Sequence, residues 1–308
     1  MKILITGGAG FIGSNIADEM INKGHKIVII DNLSSGKKEN INPKSKFYKV
    51  DISDKKRVSA VFKKEKPEIL IHHAAQIDVR KSVSDPVFDA QINIIGSINL
   101  LSACVENKIK KVIFASSGGT IYGECGLKAP DEKAPANPLS PYGIAKHCVE
   151  NYIKFFSAIY GLKYTILRYA NVYGPRQDPH GEAGVVAIFS NAMLSNKDIK
   201  IFGDGKQTRD YVFVSDVAQA NIMALTKADN EIINIGTNRL ISVLDLIRIM
   251  SKETKYVKNP KTFPKRDGEL FRSFLNINKA KKVLNWKPQI RIENGIKKTI
   301  EFFAVRKL

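Results

Sequence analysis

The segment KILITGGAGFIGS, residues 2–14, constrains the fold more than any other stretch of the chain. An apolar, β-forming run passes straight into a glycine cluster, and the cluster opens an apolar helical pattern. Gly8, Gly10 and Gly13 satisfy GxGxxG, while Gly7, Gly10 and Gly13 satisfy the wider GxxGxxG spacing. Glycine at these places permits a tight turn, close approach of a pyrophosphate, and close packing of helix on strand. Backbone N–H groups at the helix N-terminus then face the negative charge. A glycine motif alone is weak; its position directly after a strand makes this one strong.

The order of elements extends the argument. Apolar β-rich runs recur at Lys2–Thr6, Lys26–Ile30, Phe47–Val50, Ile69–His72, Lys111–Ala115 and Tyr164–Arg168, with helical patterns such as Ile12–Lys23 and Lys55–Lys64 between them. This alternation predicts an α/β fold, a Rossmann-type doubly wound parallel sheet. After NVYGPRQDP the texture reads as loops and short helices. EIINIG (Glu231–Gly236) is expected to rejoin the sheet, and SVLDLIRIM and INKAKKVLNW to form a smaller α-rich lobe. The expected division is residues 1–170 plus about 206–236 for a dinucleotide, and about 171–205 plus 237–308 for its substrate. Ligands of such sheets lie beyond the carboxyl ends of the strands. Asp31 ends the second strand, where a carboxylate accepts hydrogen bonds from ribose hydroxyls and repels a 2′-phosphate. NAD is therefore expected over NADP, although Lys37 and Lys38 stand close by. Asp51 and Ile52, after FYKV, are placed to reach the adenine.

At 308 residues the chain is long enough for a full core. The net charge of +19 raises the question of nucleic acid. The lysines are scattered, however, with no zinc finger, RNP motif or basic arm, so a solvated basic surface that steers an anionic small substrate is the better reading. No specific nucleic-acid partner is expected. No apolar run approaches the ~18 residues of a membrane span, and no leader is apparent, so no membrane role is expected. Cys104, Cys125 and Cys148 have neither metal-like spacing nor an even count, which fits a reducing cytoplasm. His72, His73, His147 and His180 form no metal set and read as buried or loop histidines.

YGIAK sets Tyr142 and Lys146 one turn apart on a helix face. A phenol near its ordinary pKa of ~10 must drop about three units to act as a base at neutral pH, roughly 4 kcal/mol of preference for phenolate. Lys146 and a positive nicotinamide ring are the expected sources of that field. Tyr142 would then take a proton from a sugar hydroxyl as the carbon gives hydride to NAD. IFASSGGTIYG (Ile113–Gly123) reads as a strand ending in small residues at the rim of this site.

The chain resembles the extended short-chain dehydrogenase/reductases of the NAD-dependent epimerase/dehydratase family over nearly its whole length, and within them the UDP-sugar 4-epimerases. The resemblance rests on TGGAGFIGS, DNLSSG, HHAAQIDV, NIIGSINLL, YGIAK, LRYANVYGPRQ, IFGDGKQTRDYVFVSDVA, NIGT and KRDGEL…NWKP. It implies cofactor contacts from Gly7, Gly10, Phe11, Ile12 and Gly13, from Asp31, Asn32, Asp51 and Ile52, from Ala74, Ala75 and Gln76, and from Asn93, Tyr142, Lys146 and Tyr169. Asn93 would lie near the nicotinamide side, and local hydrogen bonding suits an Asn inside a helix. For substrate it implies Asn171 on the nucleotide-sugar, Phe202 near the uracil, and Arg209 and Arg266 on the diphosphate, where guanidinium forks match phosphate oxygens.

The same resemblance discriminates between reactions. Dehydratases of the family carry Asp and Glu after the hydroxyl residue; Gly119 and Thr120 stand there in this chain, which argues for epimerisation. The family's helper hydroxyl falls on Gly118, which has none. Ser117 or Thr120 is the expected substitute, and Ser116 less so because alternation turns it away. Ser273 falls where the family varies a pocket residue between bulky and small, so room for a 2-N-acetyl group is expected. The helix after Tyr142 is apolar on two faces, Val149, Tyr152, Ile153 and Phe156 on one and Cys148, Phe155 and Ile159 on the other. With the helix around Val87–Val105 it is expected to form a homodimer contact.

Overall fold

The computed structural model describes residues 1–180, 184–265 and 270–306. Its centre is a seven-stranded sheet, and every pairing in it is parallel. In chain order the strands are β1 (Lys2–Thr6), β2 (Lys26–Asp31), β3 (Lys46–Lys49), β4 (Ile69–His72), β5 (Lys111–Ser117), β6 (Lys163–Tyr169) and β7 (Glu231–Ile235). In space they run β7-β6-β5-β4-β1-β2-β3. The order reverses between β1 and β4, which opens a crevice at the carboxyl ends of those two strands. EIINIG does return to the sheet, as the edge strand beside β6.

Alternation along β1 shows why helices must cover both faces. Ile3 and Ile5 pack with Ile16 and Met20 of α1 (Phe11–Asn22) and with Val217. Leu4 points the other way, into a cluster with Val58 of α2 (Lys55–Glu65), Leu100 of α3 (Gly96–Glu106), and Val149 and Ile153 of α4 (Pro141–Tyr160). All three β1 side chains are fully buried.

Beyond residue 170 the chain is more regular than its sequence suggests. Helices of 10, 12 and 14 residues form at Val185–Leu194, Val243–Thr254 and Ile292–Val305. They enclose a separate core containing Phe189, Met193, Leu246, Met250, Ile296 and Ile300. Three small sheets accompany them, pairing Asn171–Tyr173 with Tyr211–Phe213, Lys200–Phe202 with Lys261–Phe263, and Thr208–Arg209 with both Ile241–Ser242 and Arg272–Ser273. Strands of two or three residues carry no readable period, so these sheets were absent from the sequence reading.

The helical stretch Pro86–Glu106 is long and apolar enough to cross a membrane by length and composition, but half of its most apolar window is buried inside the protein. On α4 the buried face is Val149, Ile153 and Phe156, while Tyr152 joins Phe155, Ile159 and Tyr160 among the exposed side chains. Tyr152 therefore belongs to the outer face and not, as its spacing suggested, to the inner one.

Candidate active site

The turn after β1 is shaped by what its glycines leave out. Gly7 has φ +71°, and a Cβ on it would lie 2.7 Å from Ala74 N and 2.8 Å from His73 C. A Cβ on Gly13 would lie 2.3 Å from Gly7 O, so no other residue lets α1 start this close to the strand. The resulting cavity follows the β1/β4 crevice, walled by Gly7, Gly10, Phe11, Ile12 and Gly13 at its centre. Asp31, Asn32, Asp51 and Ile52 line one end, and Ala74, Ala75, Ala115, Tyr142, Lys146 and Tyr169 the other.

Asp31 is almost wholly buried and accepts hydrogen bonds from Ala9 N (3.0 Å) and Leu33 N (2.8 Å). Burial raises its carboxyl above the ordinary value, with those two bonds pulling back. Two bonds leave lone pairs free for ribose hydroxyls. Lys37 Nζ sits 4.0 Å from Asp178 Oδ1, both side chains being exposed at the surface. Asp51 accepts from Asn32 Nδ2 (2.7 Å), Ser53 N (2.8 Å) and Ser53 Oγ (2.7 Å). Burial works to raise its carboxyl, but these hydrogen bonds hold it below the ordinary value. A glycine cradle that any Cβ would fill, with carboxylates at one end, fits a dinucleotide.

Gln76 and Asn93 do not line the cavity. Asn93 is buried where Gln91–Ile95 widens into a π-turn; its Oδ1 accepts from Gln76 N (2.9 Å) and its Nδ2 donates to Gln76 O (3.0 Å) and Asp89 Oδ1 (2.9 Å). Gln76 Nε2 also donates to Asp89 Oδ1 (3.0 Å). Together they pin the loop after β4 to the helix beneath it, which is the local role an Asn inside a helix suggests.

Tyr142 and Lys146 are positioned by how α4 begins. Ser140 caps the helix, its Oγ accepting from Gly143 N (3.2 Å), and Pro141 fills the first position. Tyr142 thus falls in the first turn and Lys146 one turn later, both facing the sheet. Lys146 Nζ donates to Ala115 O at the end of β5 (2.9 Å) and lies 5.8 Å from the Tyr142 ring centroid. Burial pushes the Lys146 ammonium down to about 8, with Asp89 and Glu150 acting in the opposite direction. Burial pushes the Tyr142 phenol up, and the Asp89 charge adds to the rise. Burial and Asp89 thus outweigh the lowering expected from Lys146.

The end of β5 settles where each small residue points. Ser116 Oγ turns away and donates to Glu150 Oε1 (2.6 Å), which is also held by Arg168 Nε (2.9 Å). Gly118 is buried, and a Cβ there would meet Leu275 Cδ1 at 2.6 Å. Gly119 faces the open side: a Cβ on it would lie 3.7 Å from Asn171 Oδ1 and 4.0 Å from both Ser117 Oγ and Ser273 Oγ. Ser117, Asn171 and Ser273 therefore surround one point. Thr120 Oγ1 is buried without a hydrogen-bond partner. Ser273 is buried and stands in register with Arg209 across two short parallel strands. Phe202 ends the Lys200–Phe202 strand, its ring tilted on Phe263 at 5.7 Å. Arg266 lies outside the described residues.

The sequence reading overlooked His73 as a wall residue. It lines the cavity beside Tyr169, with the two rings stacked at 5.8 Å and 22°. Its place directly after β4, opposite the glycine turn, was the signal available.

Residues 3–236 match the model of the NAD dependent epimerase/dehydratase family. A putative UDP-glucose 4-epimerase of Methanocaldococcus jannaschii is 50% identical over 300 residues, 97% of each chain. The crystal structure of a Thermotoga maritima UDP-glucose 4-epimerase with UDP-glucose is 48% identical, covers 100% of both chains and superposes with a TM-score of 0.99. A Thermus thermophilus UDP-glucose 4-epimerase in complex with NAD is 40% identical, with a TM-score of 0.94 over 98% of this chain and 99% of that one.

Proposed function

The chain belongs to the NAD dependent epimerase/dehydratase family, and we propose that it is a UDP-sugar 4-epimerase, an isomerase that interconverts UDP-glucose and UDP-galactose. The observation that carries this reading is the Tyr142–Lys146 pair at the rim of a glycine-cradled cavity, with Gly119 and Thr120 where a dehydratase would need carboxyl groups. NAD, which Gly7, Gly10, Gly13, Asp31 and Ile52 would hold in the cavity, would supply reversible hydride chemistry at C4 of the sugar.

The chain's own residues do the rest. Tyr142 takes the proton of the C4 hydroxyl and later gives it back. Lys146, tethered to Ala115 O, holds positive charge beside the phenol. Ser117 is the hydroxyl we assign to the substrate oxygen, because its Oγ shares the space near Gly119 with Asn171 and Ser273. Arg209 and Arg266 clamp the diphosphate, Asn171 contacts the sugar nucleotide and Phe202 borders the uracil. The NAD half is residues 1–170 plus about 206–236, with Leu275, Ile277, Ala280, Leu284 and Trp286 packed into its core; the remainder holds the substrate. The small Ser273 leaves room for a 2-N-acetyl group, so UDP-N-acetylhexosamines are substrates as well. Turnover of UDP-galactose with no conversion of UDP-N-acetylgalactosamine at high enzyme concentration would sink that extension.

Incubation with a panel of UDP- and dTDP-sugars tests the main reading. A 4-epimer without net NAD reduction supports it, and a 4-keto-6-deoxy product overturns it. Tyr142→Phe should lower kcat by about 10²–10⁴-fold.

The working unit is a homodimer. Val87 and Phe88, with Phe155 and Ile159 on α4, leave apolar side chains exposed on adjoining helices, a surface suited to a second copy. A monomeric mass at micromolar concentration would contradict this. Three free cysteines suit a cytoplasmic enzyme.

A further inference from the structure

We propose that Asp210 is the positioning residue for the sugar nucleotide: its carboxylate ties the short strand that carries Arg209 to the end of the main sheet, and so sets where Arg209, Asn171 and Ser273 stand. The inference rests on the assignment of those three residues to the substrate.

NIGT (residues 234–237) and the Asp that follows Arg209 take no part in the hydride chemistry, yet the fold brings them together. Asp210 is 1% exposed. Its Oδ1 accepts from Thr237 N (2.8 Å) and Thr237 Oγ1 (2.5 Å), and its Oδ2 from Asn238 N (3.0 Å) and Leu275 N (3.4 Å). Thr237 and Asn238 stand just past β7, the edge strand of the seven-stranded sheet. Gly236 lets the carboxylate in, since a Cβ there would lie 2.5 Å from Asp210 Oδ2.

The chemistry of the group is specific. An ionised carboxylate offers about four acceptor positions, and all of them face donors here. An amide of the same shape accepts through one oxygen only, and its NH2 would be turned on N–H groups. Burial raises the Asp210 carboxyl above the ordinary value, and the bonds from Thr237, Asn238 and Leu275 pull it back.

The main chain of the same residue reaches the substrate positions. Asp210 N donates to Ser273 O (3.0 Å), Asp210 O accepts from Asn171 N (2.9 Å), and Arg209 is its neighbour in sequence. Strands as short as Thr208–Arg209 and Arg272–Ser273 have few ladder bonds of their own, so their placement depends on such an anchor. Leu275, whose N–H the carboxylate holds, is also the residue whose methyls fill the space beside Gly118. One buried side chain thus fixes the diphosphate anchor, the sugar wall and the packing under the strand end after Ser117.

The test measures binding of UDP and of NAD to the full chain by calorimetry. In Asp210→Asn the UDP Kd should rise about ten- to hundredfold, the worth of one charge-assisted hydrogen bond from a displaced Arg209, while NAD binds as in the parent. Unchanged UDP affinity overturns the proposal. So does an equal weakening of UDP and NAD, which is what a general loosening of the fold gives. Where Asp210→Asn does not fold, Thr237→Val reads the same link by removing only the hydroxyl bond to Oδ1. It should weaken UDP about two- to fivefold at constant NAD affinity, and Thr237→Ser, which keeps the hydroxyl, should restore the parent value. A folded Thr237→Val with the parent's UDP affinity, or a Thr237→Ser as weak as Thr237→Val, overturns it. If the parent itself does not bind UDP, the reading of the site fails, and the proposal falls with it.

Discussion

Leu275 fills the space that a side chain at position 118 would need. Its two terminal methyls lie 2.6 and 2.7 Å from where a Gly118 Cβ would stand, and Leu275 is itself 1% exposed. The missing hydroxyl at this position is thus coupled to a core leucine arriving from the other half of the chain. Gly118→Ser should destabilise the protein by about 1–3 kcal/mol through overpacking. Leu275→Ala combined with it should cost less than the two single changes summed, because the pair shares one space. Urea denaturation of the four proteins reads the coupling directly.

Ser117 and Thr120 make different predictions. Ser117 Oγ lies by the same point as Asn171 and Ser273, whereas Thr120 Oγ1 is buried without a hydrogen-bond partner. Ser117→Ala should slow single-turnover hydride transfer about 10- to 100-fold, the lower part of the range for proton-handling groups. Thr120→Val should leave it within about threefold. The reverse order would move the helper role to Thr120.

Lys146 gives a pH signature in stability as well as in rate. Burial holds its folded pKa at about 8, below the ordinary lysine value of 10.5, so the buried ammonium weakens the fold. Between those values the unfolded chain binds more protons, and stability rises with pH there. Below about pH 8 the cost is present in full. Lys146→Met should therefore gain most on the parent near pH 7, with the gap changing by about 3 kcal/mol up to pH 10.5. Equal pH dependence of the two unfolding curves would rule this out.

Arg168 and Glu150 form the ion pair beneath the site, with Nη2 to Oε2 at 2.6 Å and side chains 4% and 0% exposed. Arg168 Nη1 also donates to Tyr122 OH (2.8 Å). Arg168→Met strands a buried carboxylate and should cost about 3–5 kcal/mol, whereas Glu150→Met/Arg168→Met together should cost much less. Thermal unfolding of the single and double variants compares them.

What was legible in the sequence was local. The glycine turn, Asp31 and the Tyr142–Lys146 spacing each follow from a few adjacent residues, and the parallel sheet follows from the repeat of strand and helix. What was not legible depends on contacts between distant segments. Gln76 and Asn93, expected beside the cofactor, hydrogen-bond each other, and Asn93 also bonds Asp89, a link between separate segments that no local spacing records. His73 read as a buried or loop histidine; that its ring stacks on and bonds Tyr169, itself held by Asn221, is visible only in the fold. The rise of the Tyr142 phenol comes from burial and from Asp89 on another helix, which no spacing within YGIAK records.

The register of Ser273 with Arg209 has a consequence for how such a pocket diversifies. On the assignments above, the residue that sets the room beside the sugar and the residue that grips the diphosphate share one rung of a two-residue ladder. A bulkier side chain at 273 that pushed the strand would also displace the anchor. With those two roles, substrate range and substrate retention would be mechanically linked, and selection for a narrower diet would have to find changes that leave that rung in place.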